Sequence, residues 1–203
     1  MDYISVLHRG IDTLIEHFQQ NPFDFLCERD IQAMLFGLLM AEFRNERIEM
    51  EGGYLENKQE YGGNNTVRTL PVKCEYYSKF DIAIIDPKTL RPYNKAEWKR
   101  LGLKSDAFWN QPVLAAVELK YCQVGENSRR KNQESNNDID KLREYHREQR
   151  CELPFLGISM LFIQTSSNNL NSLQFGQEIF DDKPKTGIVK YVVTPQHYWQ
   201  YAV

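Results

Sequence analysis

The chain has 203 residues, of which 41% are hydrophobic and 26% are charged, and its formal net charge at pH 7 is −3. This length and composition predict one globular domain, over residues 1–203, with a core of its own. No apolar run is long enough to cross a bilayer, so we expect no membrane partner, and the acidic net charge means that nucleic-acid binding would need local basic patches.

The cysteines and histidines show no metal-ligand spacing. The four cysteines lie far apart and form no C-x-x-C pair, which argues against a zinc site and for reduced thiols. The N-terminus has no basic segment followed by an apolar one, so we expect no signal peptide. These features predict a cytoplasmic protein.

Two helices are predicted at the start of the chain. Apolar residues recur at spacings of three and four over residues 3–20, and Asn21-Pro22 ends this extra N-terminal helix. A second helix is predicted from about Phe23 to Arg44. Residues 45–66 are polar and contain two Gly-Gly pairs, so we expect a loop or loose hairpin there.

The middle of the chain changes to the period of two that is typical of strands. Strands are predicted over residues 67–77 and 79–85, and the apolar run PVLAAVELKYCQ predicts a third over residues 112–123. Between them, residues 86–112 are too many for a plain connection, so we expect an insertion that contains a short helix.

The last third of the chain predicts one more helix and two more strands. Residues 123–136 are polar and basic, and residues 137–150 have the apolar spacing of a helix. PFLGISMLFIQ and IVKYVVT (188–194) are strands. The fold class is therefore α/β, with a mixed sheet covered by helices.

Three residues interrupt the apolar pattern of the predicted strands. Asp81 lies in KFDIAIID, and Glu118 and Lys120 lie one residue apart in AAVELKY, so the last two point to the same side of their strand. A carboxylate that faces the core costs several kcal/mol unless it is paired or bound to a metal. If the two strands are neighbours, we expect all three side chains to meet.

Two carboxylates that are held together repel each other, and a hard divalent cation relieves that repulsion. Oxygen ligands with open positions suit Mg²⁺, for which Mn²⁺ can substitute. The alternative for Glu118 and Lys120 is a salt bridge at the end of a strand, and for Asp81 it is a hydrogen bond to loop amides. Both alternatives stay open because strand ends are uncertain by a few residues.

Asp81 followed by Glu118-Leu119-Lys120 resembles the active-site motif of the PD-(D/E)xK nuclease superfamily, which has the restriction-endonuclease-like fold. That family has a core in the order α-β-β-β-α-β, and the elements predicted over residues 23–164 have the same order. The resemblance implies a metal-dependent nuclease in which Asp81 and Glu118 hold Mg²⁺ and Lys120 assists the attacking water. It further implies nucleic acid as the partner, DNA ahead of RNA, with a homodimer left open.

The sequence departs from the family pattern at two places. Phe80 stands where the family has a proline before the aspartate. The downstream helix has Lys141 and Tyr145 where the RecB-like branch of the family has Gln-x-x-x-Tyr.

Glu28 and Gln32 are predicted to face inward, because their spacing places them with Leu35 and Leu39 on the apolar stripe of the second helix. The resemblance implies that an acidic residue from this helix reaches the metal, so Glu28 is a candidate ligand and Gln32 a nearby hydrogen-bonding group. The alternatives for Glu28 are a first-turn carboxylate favoured by the helix dipole and a surface ion-pair partner.

Two basic stretches are candidates for contacts with phosphates. One is the insertion, which contains Lys95, Lys99 and Arg100, although a solvated helix explains these residues equally well. The other is the triplet Arg129-Arg130-Lys131 in the polar segment after the third strand. Glu75, on the neighbouring strand, is a secondary candidate for the site.

Two rival functions fit parts of the pattern. A nucleic-acid-binding or scaffold module of the same fold would have lost catalysis, against which the intact Asp81, Glu118 and Lys120 argue. A glycosidase would use Asp81 and Glu118 as its pair of carboxylates, but it leaves Lys120 without a role.

Overall fold

A computed structural model of the chain describes residues 2–50, 72–76, 80–85, 113–148, 154–165, 177–178 and 183–203. In these ranges the chain forms three α-helices, one short 3₁₀ turn and seven strands. No helix among them is long and apolar enough to span a membrane. The predicted insertion at 86–112 lies outside the described residues.

The first helix, α1, spans Tyr3–Gln20, as the sequence predicts. Asp2 caps it, since the Asp2 carboxylate accepts hydrogen bonds from the backbone N–H groups of Ile4 and Ser5. The helix ends at Asn21, immediately before a proline. Its buried side is apolar apart from His8.

The second helix, α2, spans Glu28–Met50, so the predicted bounds of 23–44 were wrong at both ends. Pro22–Asp24 forms a 3₁₀ turn instead. The cause lies in Asp30, whose carboxylate accepts hydrogen bonds from the N–H groups of Leu26 (2.7 Å) and Cys27 (3.0 Å). A carboxylate that reaches back in this way satisfies the free donors at a helix start and fixes the start there.

The third helix, α3, spans Ser128–Glu148, so the prediction that it begins at residue 137 was also wrong. Asn127 caps it by accepting hydrogen bonds from the N–H groups of Arg129 and Arg130. The buried positions in its first half are Asn132 and Ser135, which are polar. The first half therefore lacks the apolar stripe by which a helix is recognised in a sequence.

The seven strands form one mixed sheet in the spatial order β1-β2-β3-β4-β6-β7-β5. Strands β3, β4 and β6 run parallel, and the pairs on either side of them are antiparallel. The strands are β1 Val72–Tyr76, β2 Phe80–Ile85, β3 Val113–Cys122, β4 Leu156–Ile163, β5 Gln177–Glu178, β6 Gly187–Val193 and β7 Tyr198–Ala202. Among the described residues, the elements from α2 to β4 follow the order α-β-β-β-α-β. The sequence did not predict β5 and β7.

Helices cover both faces of the sheet. Helices α1 and α2 pack on the face that carries Val117, Leu119 and Met160. Helix α3 packs on the other face, against Ala83, Ala116 and other apolar residues. Because α3 connects β3 to the parallel strand β4, it must cross back over the sheet. The alternation along β3 therefore decides which side chains α3 covers.

Gly157 on β4 allows α3 to lie close to the sheet. A Cβ atom at this position would come within 2.6 Å of Ile188 Cδ1 and 3.2 Å of Leu142 Cβ, which belongs to α3. No real Cβ atom makes a contact as short as the first, so either Ile188 or α3 would have to move. The close approach of α3 at Leu142 therefore requires a residue without a side chain at position 157.

We predict that Gly157→Ala destabilises the protein by about 1–3 kcal/mol, because overpacking forces side chains and backbone to shift. Gly37→Ala is the matched control. A Cβ atom at residue 37, in the exposed interior of α2, meets nothing within 4 Å, so this change should stabilise the fold by about 0.5–1 kcal/mol. Urea denaturation of both variants gives the two values. Equal effects in both variants would contradict the close approach of α3.

Candidate active site

Asp81 and Glu118 lie side by side on the face of the sheet that α3 covers. Ile82 of β2 is paired with Val117 of β3. Because the two strands are antiparallel, the adjacent position in this register places Asp81 opposite Glu118. The Asp81 carboxylate accepts a hydrogen bond from the backbone N–H of Leu119 at 2.8 Å. The apolar strand pattern therefore brings two carboxylates together inside the protein.

Glu118 is buried, with only 3% of its side chain exposed. Its Oε1 atom lies 2.6 Å from Lys141 Nζ on α3, which makes the two side chains an ion pair. Burial raises the pKa of Glu118 to about 8, and the charge of Asp81 acts in the same direction, while Lys141 opposes both. The interior therefore disfavours the anionic form of Glu118, and Lys141 is the charge that compensates it.

Asp81 is partly buried, and burial raises its pKa above the ordinary value. The hydrogen bond from Leu119 and the charges of Lys120 and Lys141 oppose that rise. Both strand carboxylates are therefore destabilised as anions, and both are compensated by lysines.

Lys120 connects β3 to both α2 and α3. Its Nζ lies 3.0 Å from Asp138 Oδ2 and 3.6 Å from Glu28 Oε1, and it donates a hydrogen bond to the backbone oxygen of Leu119 at 2.9 Å. Burial lowers the pKa of Lys120, but the charges of Asp138 and Glu28 outweigh burial, so its pKa is raised. Lys120 is therefore a fixed and fully charged group.

Glu28 and Gln32 bring the start of α2 to the same place. Burial raises the pKa of Glu28 and the charge of Asp81 adds to that rise, while Lys120, whose Nζ is 3.6 Å from Glu28 Oε1, opposes it. Gln32 is buried and donates a hydrogen bond to the backbone oxygen of Asp81 at 2.9 Å. Glu28 is also the first residue of α2, where the helix dipole favours a carboxylate.

Asp138 and Lys141 of α3 belong to the site, although the sequence reasoning did not select them as site residues. They are three residues apart, so both lie on the side of α3 that faces β3. The signal that could have found them is the run of polar residues at helical spacing, Asn132, Ser135 and Asp138, in a helix that covers a sheet. Such a stripe indicates polar residues beneath it.

The polar stripe of α3 meets a polar row that crosses the sheet. In the parallel register Glu118 pairs with Ser159 and Ser159 with Lys190. The hydroxyl groups of Ser135 and Ser159 are 2.8 Å apart. Lys190 is fully buried and donates to the side-chain oxygens of two asparagines, Asn132 at 2.6 Å and Asn136 at 2.7 Å. These contacts fix the rotation of α3 and therefore the positions of Asp138 and Lys141.

The remaining sequence candidates lie elsewhere or outside the described residues. Arg129, Arg130 and Lys131 are in the first turn of α3, not in a loop as predicted, because Asn127 caps the helix before them. Arg130 and Lys131 both form ion pairs with Glu134. The backbone of Glu75 lies in β1, but its side chain is outside the described residues. The three candidates in the insertion, Lys95, Lys99 and Arg100, also lie outside the described residues.

The donor chemistry of the cluster suits a hard divalent cation. Four carboxylates (Glu28, Asp81, Glu118 and Asp138) surround two ammonium groups, which leaves an excess of two negative charges when all are ionised. The buried oxygens Glu118 Oε1 and Asp138 Oδ2 each lie beside a lysine ammonium group, at 2.6 Å from Lys141 and 3.0 Å from Lys120. In the described part of the chain, however, no three acidic, histidine or cysteine residues are already grouped around one point. The lysines lie between the carboxylates instead.

Comparisons of the chain with family models, with curated proteins and with solved structures found no match. A functional proposal therefore depends on the chemistry of this cluster.

We predict that Glu118→Gln stabilises the metal-free protein increasingly as the pH rises. The pKa of about 8 in the folded protein lies above the ordinary value of 4.5, so the stability that protonated Glu118 contributes is complete below pH 4.5 and is lost as the pH rises through 8. A glutamine side chain does not ionise, so the variant does not lose this stability as the pH rises. At about 1.4 kcal/mol per pKa unit, the stability of the variant relative to the wild type should rise by a few kcal/mol across that window.

Urea denaturation at pH 5 and pH 8.5, with EDTA present, measures this difference. Glu144→Gln, on the exposed side of α3, is the control and should shift stability equally at both pH values. A stability difference for Glu118→Gln that does not change with pH would show that Glu118 is not held protonated.

Proposed function

We propose that the protein is a metal-dependent nuclease with the restriction-endonuclease-like fold. The observation that supports this most directly is the arrangement of Asp81, Glu118 and Lys120. Two carboxylates from neighbouring strands lie side by side in the interior, and a lysine lies on the same face two residues after the second one. The order of elements from α2 to β4 supports the same family, since it is the order that the PD-(D/E)xK resemblance implies.

The proposed ligands of the ion are Asp81, Glu118 and Glu28, and the proposed ion is Mg²⁺, for which Mn²⁺ can substitute. Such an ion lowers the pKa of a bound water and neutralises charge that develops on a phosphate. Glu118 and Asp81 are poor anions before the ion binds, because burial raises the pKa of each. Binding of the ion would therefore release protons, and it should strengthen as the pH rises.

Lys120 would stabilise the negative charge that builds up on the phosphate in the transition state. Asp138 and Glu28 hold its ammonium group in place on two sides, so little reorganisation is needed during the reaction. Asp138 is thus a positioning residue for Lys120. Gln32 is a positioning residue for Asp81, because its hydrogen bond to the Asp81 backbone oxygen fixes the backbone of β2.

The proposed substrate is DNA rather than RNA, as the resemblance to restriction endonucleases implies. Arg129 is exposed in the first turn of α3 and is a candidate for phosphate contacts, together with Arg130 and Lys131. The net charge of −3 gives no general attraction to nucleic acid, so binding would depend on such local groups.

A second candidate is an inactive nucleic-acid-binding or scaffold module of the same fold. The ion pairs of Glu118 with Lys141 and of Lys120 with Asp138 favour it, because they satisfy the charges of the site without a metal. Titration of the protein with Mn²⁺ distinguishes the two candidates. The nuclease binds the ion at this site, and the scaffold does not.

We predict phosphodiester cleavage that requires Mg²⁺ or Mn²⁺ and stops when EDTA is added. Asp81→Asn, Glu118→Gln and Lys120→Ala should each lower the rate by roughly a thousandfold or more, as loss of a preorganised charged group does. Gel assays with mixed single-stranded and double-stranded DNA and RNA provide the measurement. Glu144→Gln is the matched control and should retain the wild-type rate. Full activity in any of the three site variants would remove that residue from the proposed site.

We also predict that Arg129→Ala weakens DNA binding and makes it less sensitive to salt. Each phosphate contact that is lost should reduce the slope of log affinity against log salt by about one unit. Arg143→Ala is the control on the same helix, since Arg143 pairs with Asp140 beyond the site. Fluorescence anisotropy over a range of salt concentrations gives both slopes. Equal slopes for the two variants would place Arg129 away from the substrate.

A further inference from the structure

Lys141 lies where a cation is needed in the metal-free protein. Its Nζ is 2.6 Å from Glu118 Oε1, an oxygen buried in the interior, and 3.9 Å from Asp138 Oδ1. We infer that Lys141 is a displaceable counter-ion of Glu118, which occupies the cation position until a divalent ion takes it. This inference rests on the proposed function, because it concerns the same metal site.

The need for a counter-ion follows from the burial of Glu118. A carboxylate that is 3% exposed costs several kcal/mol when it has no partner. Asp81 lies beside it and adds a like charge, so the two strands would repel each other at this point. Lys141 offsets both effects from the opposite side, because it belongs to the helix that covers them.

Lys141 is held less firmly than Lys120, and that difference assigns the two lysines different roles. Lys120 contacts Asp138 at 3.0 Å, Glu28 at 3.6 Å and a backbone oxygen, and 17% of its side chain is exposed. Lys141 contacts Glu118 at 2.6 Å and Asp138 at 3.9 Å, its ammonium group lies 5.9 Å from the centre of the Phe80 ring, and 36% of its side chain is exposed. The ammonium group of Lys141 can therefore leave Glu118 for solvent, whereas that of Lys120 stays in place.

The positions of the carboxylates agree with this role. The acidic residues are not already grouped around one point in the described part of the chain, and the lysines lie between them. When Lys141 leaves, the Oε1 atom of Glu118 becomes available on the side that faces α3. Asp138, one turn earlier on the same helix, remains within reach of the released ammonium group.

The test is Mn²⁺ binding without nucleic acid, measured by calorimetry. Lys141→Met removes the competing charge, so it should tighten Mn²⁺ binding at least about tenfold. The metal-free variant should melt at a lower temperature than the wild type, because Glu118 loses its partner, and Mn²⁺ should raise its melting temperature by more. Arg143→Met, on the exposed side of α3, is the control and should leave Mn²⁺ affinity unchanged.

If Lys141→Met does not fold, Lys141→Gln replaces it, since glutamine keeps a hydrogen-bond donor for Glu118 without the charge. Tighter Mn²⁺ binding by either variant supports the inference, including the case in which the wild type binds too weakly to detect. Equal or weaker binding than in a wild type that does bind would overturn the inference and leave the proposed function standing. Absence of Mn²⁺ binding in the wild type and in both variants would overturn the two together.

Discussion

The buried ion pair between Glu118 and Lys141 is the interaction on which the rest of the site depends. An apolar strand delivers Glu118 to the interior, and among the residues that the structure describes it is Lys141 of α3 that pairs with it there. The helix must therefore lie in one position over the sheet. The same position places Asp138 against Lys120, so the two ion pairs are consequences of a single packing arrangement.

That arrangement is fixed by polar contacts as much as by apolar ones. Lys190 and its two asparagine partners hold the first half of α3, and the hydroxyl groups of Ser135 and Ser159 meet beneath its next turn. Burial lowers the pKa of Lys190 to about 8, because its ammonium group is removed from water. A helix with such a face has a specific register, because any rotation would leave buried polar groups without partners.

The sequence predicted the parts of the fold that follow an apolar pattern. It predicted α1 and β3 closely, and it placed Glu118 and Lys120 on one side of their strand because side chains alternate along a strand. That Asp81 joins them depended on β2 and β3 being neighbours, which they are. It did not predict the start of α3, since the buried residues there are Asn132 and Ser135, nor the contact of Lys141 with Glu118, which depends on tertiary packing. The lysine inside IVKYVVT was the overlooked signal of the polar row. The catalytic and metal-binding roles of the site residues remain predictions.

The parallel pairing of β3 with β4 has a consequence for how the site forms during folding. Parallel neighbours cannot be joined by a tight turn, so the β3–β4 contact and the docking of α3 require a long loop to close. Contacts of this kind form slowly. The helix that encloses the Glu118 carboxylate is also the one that carries Lys141, so the closure that buries this side chain brings its partner with it.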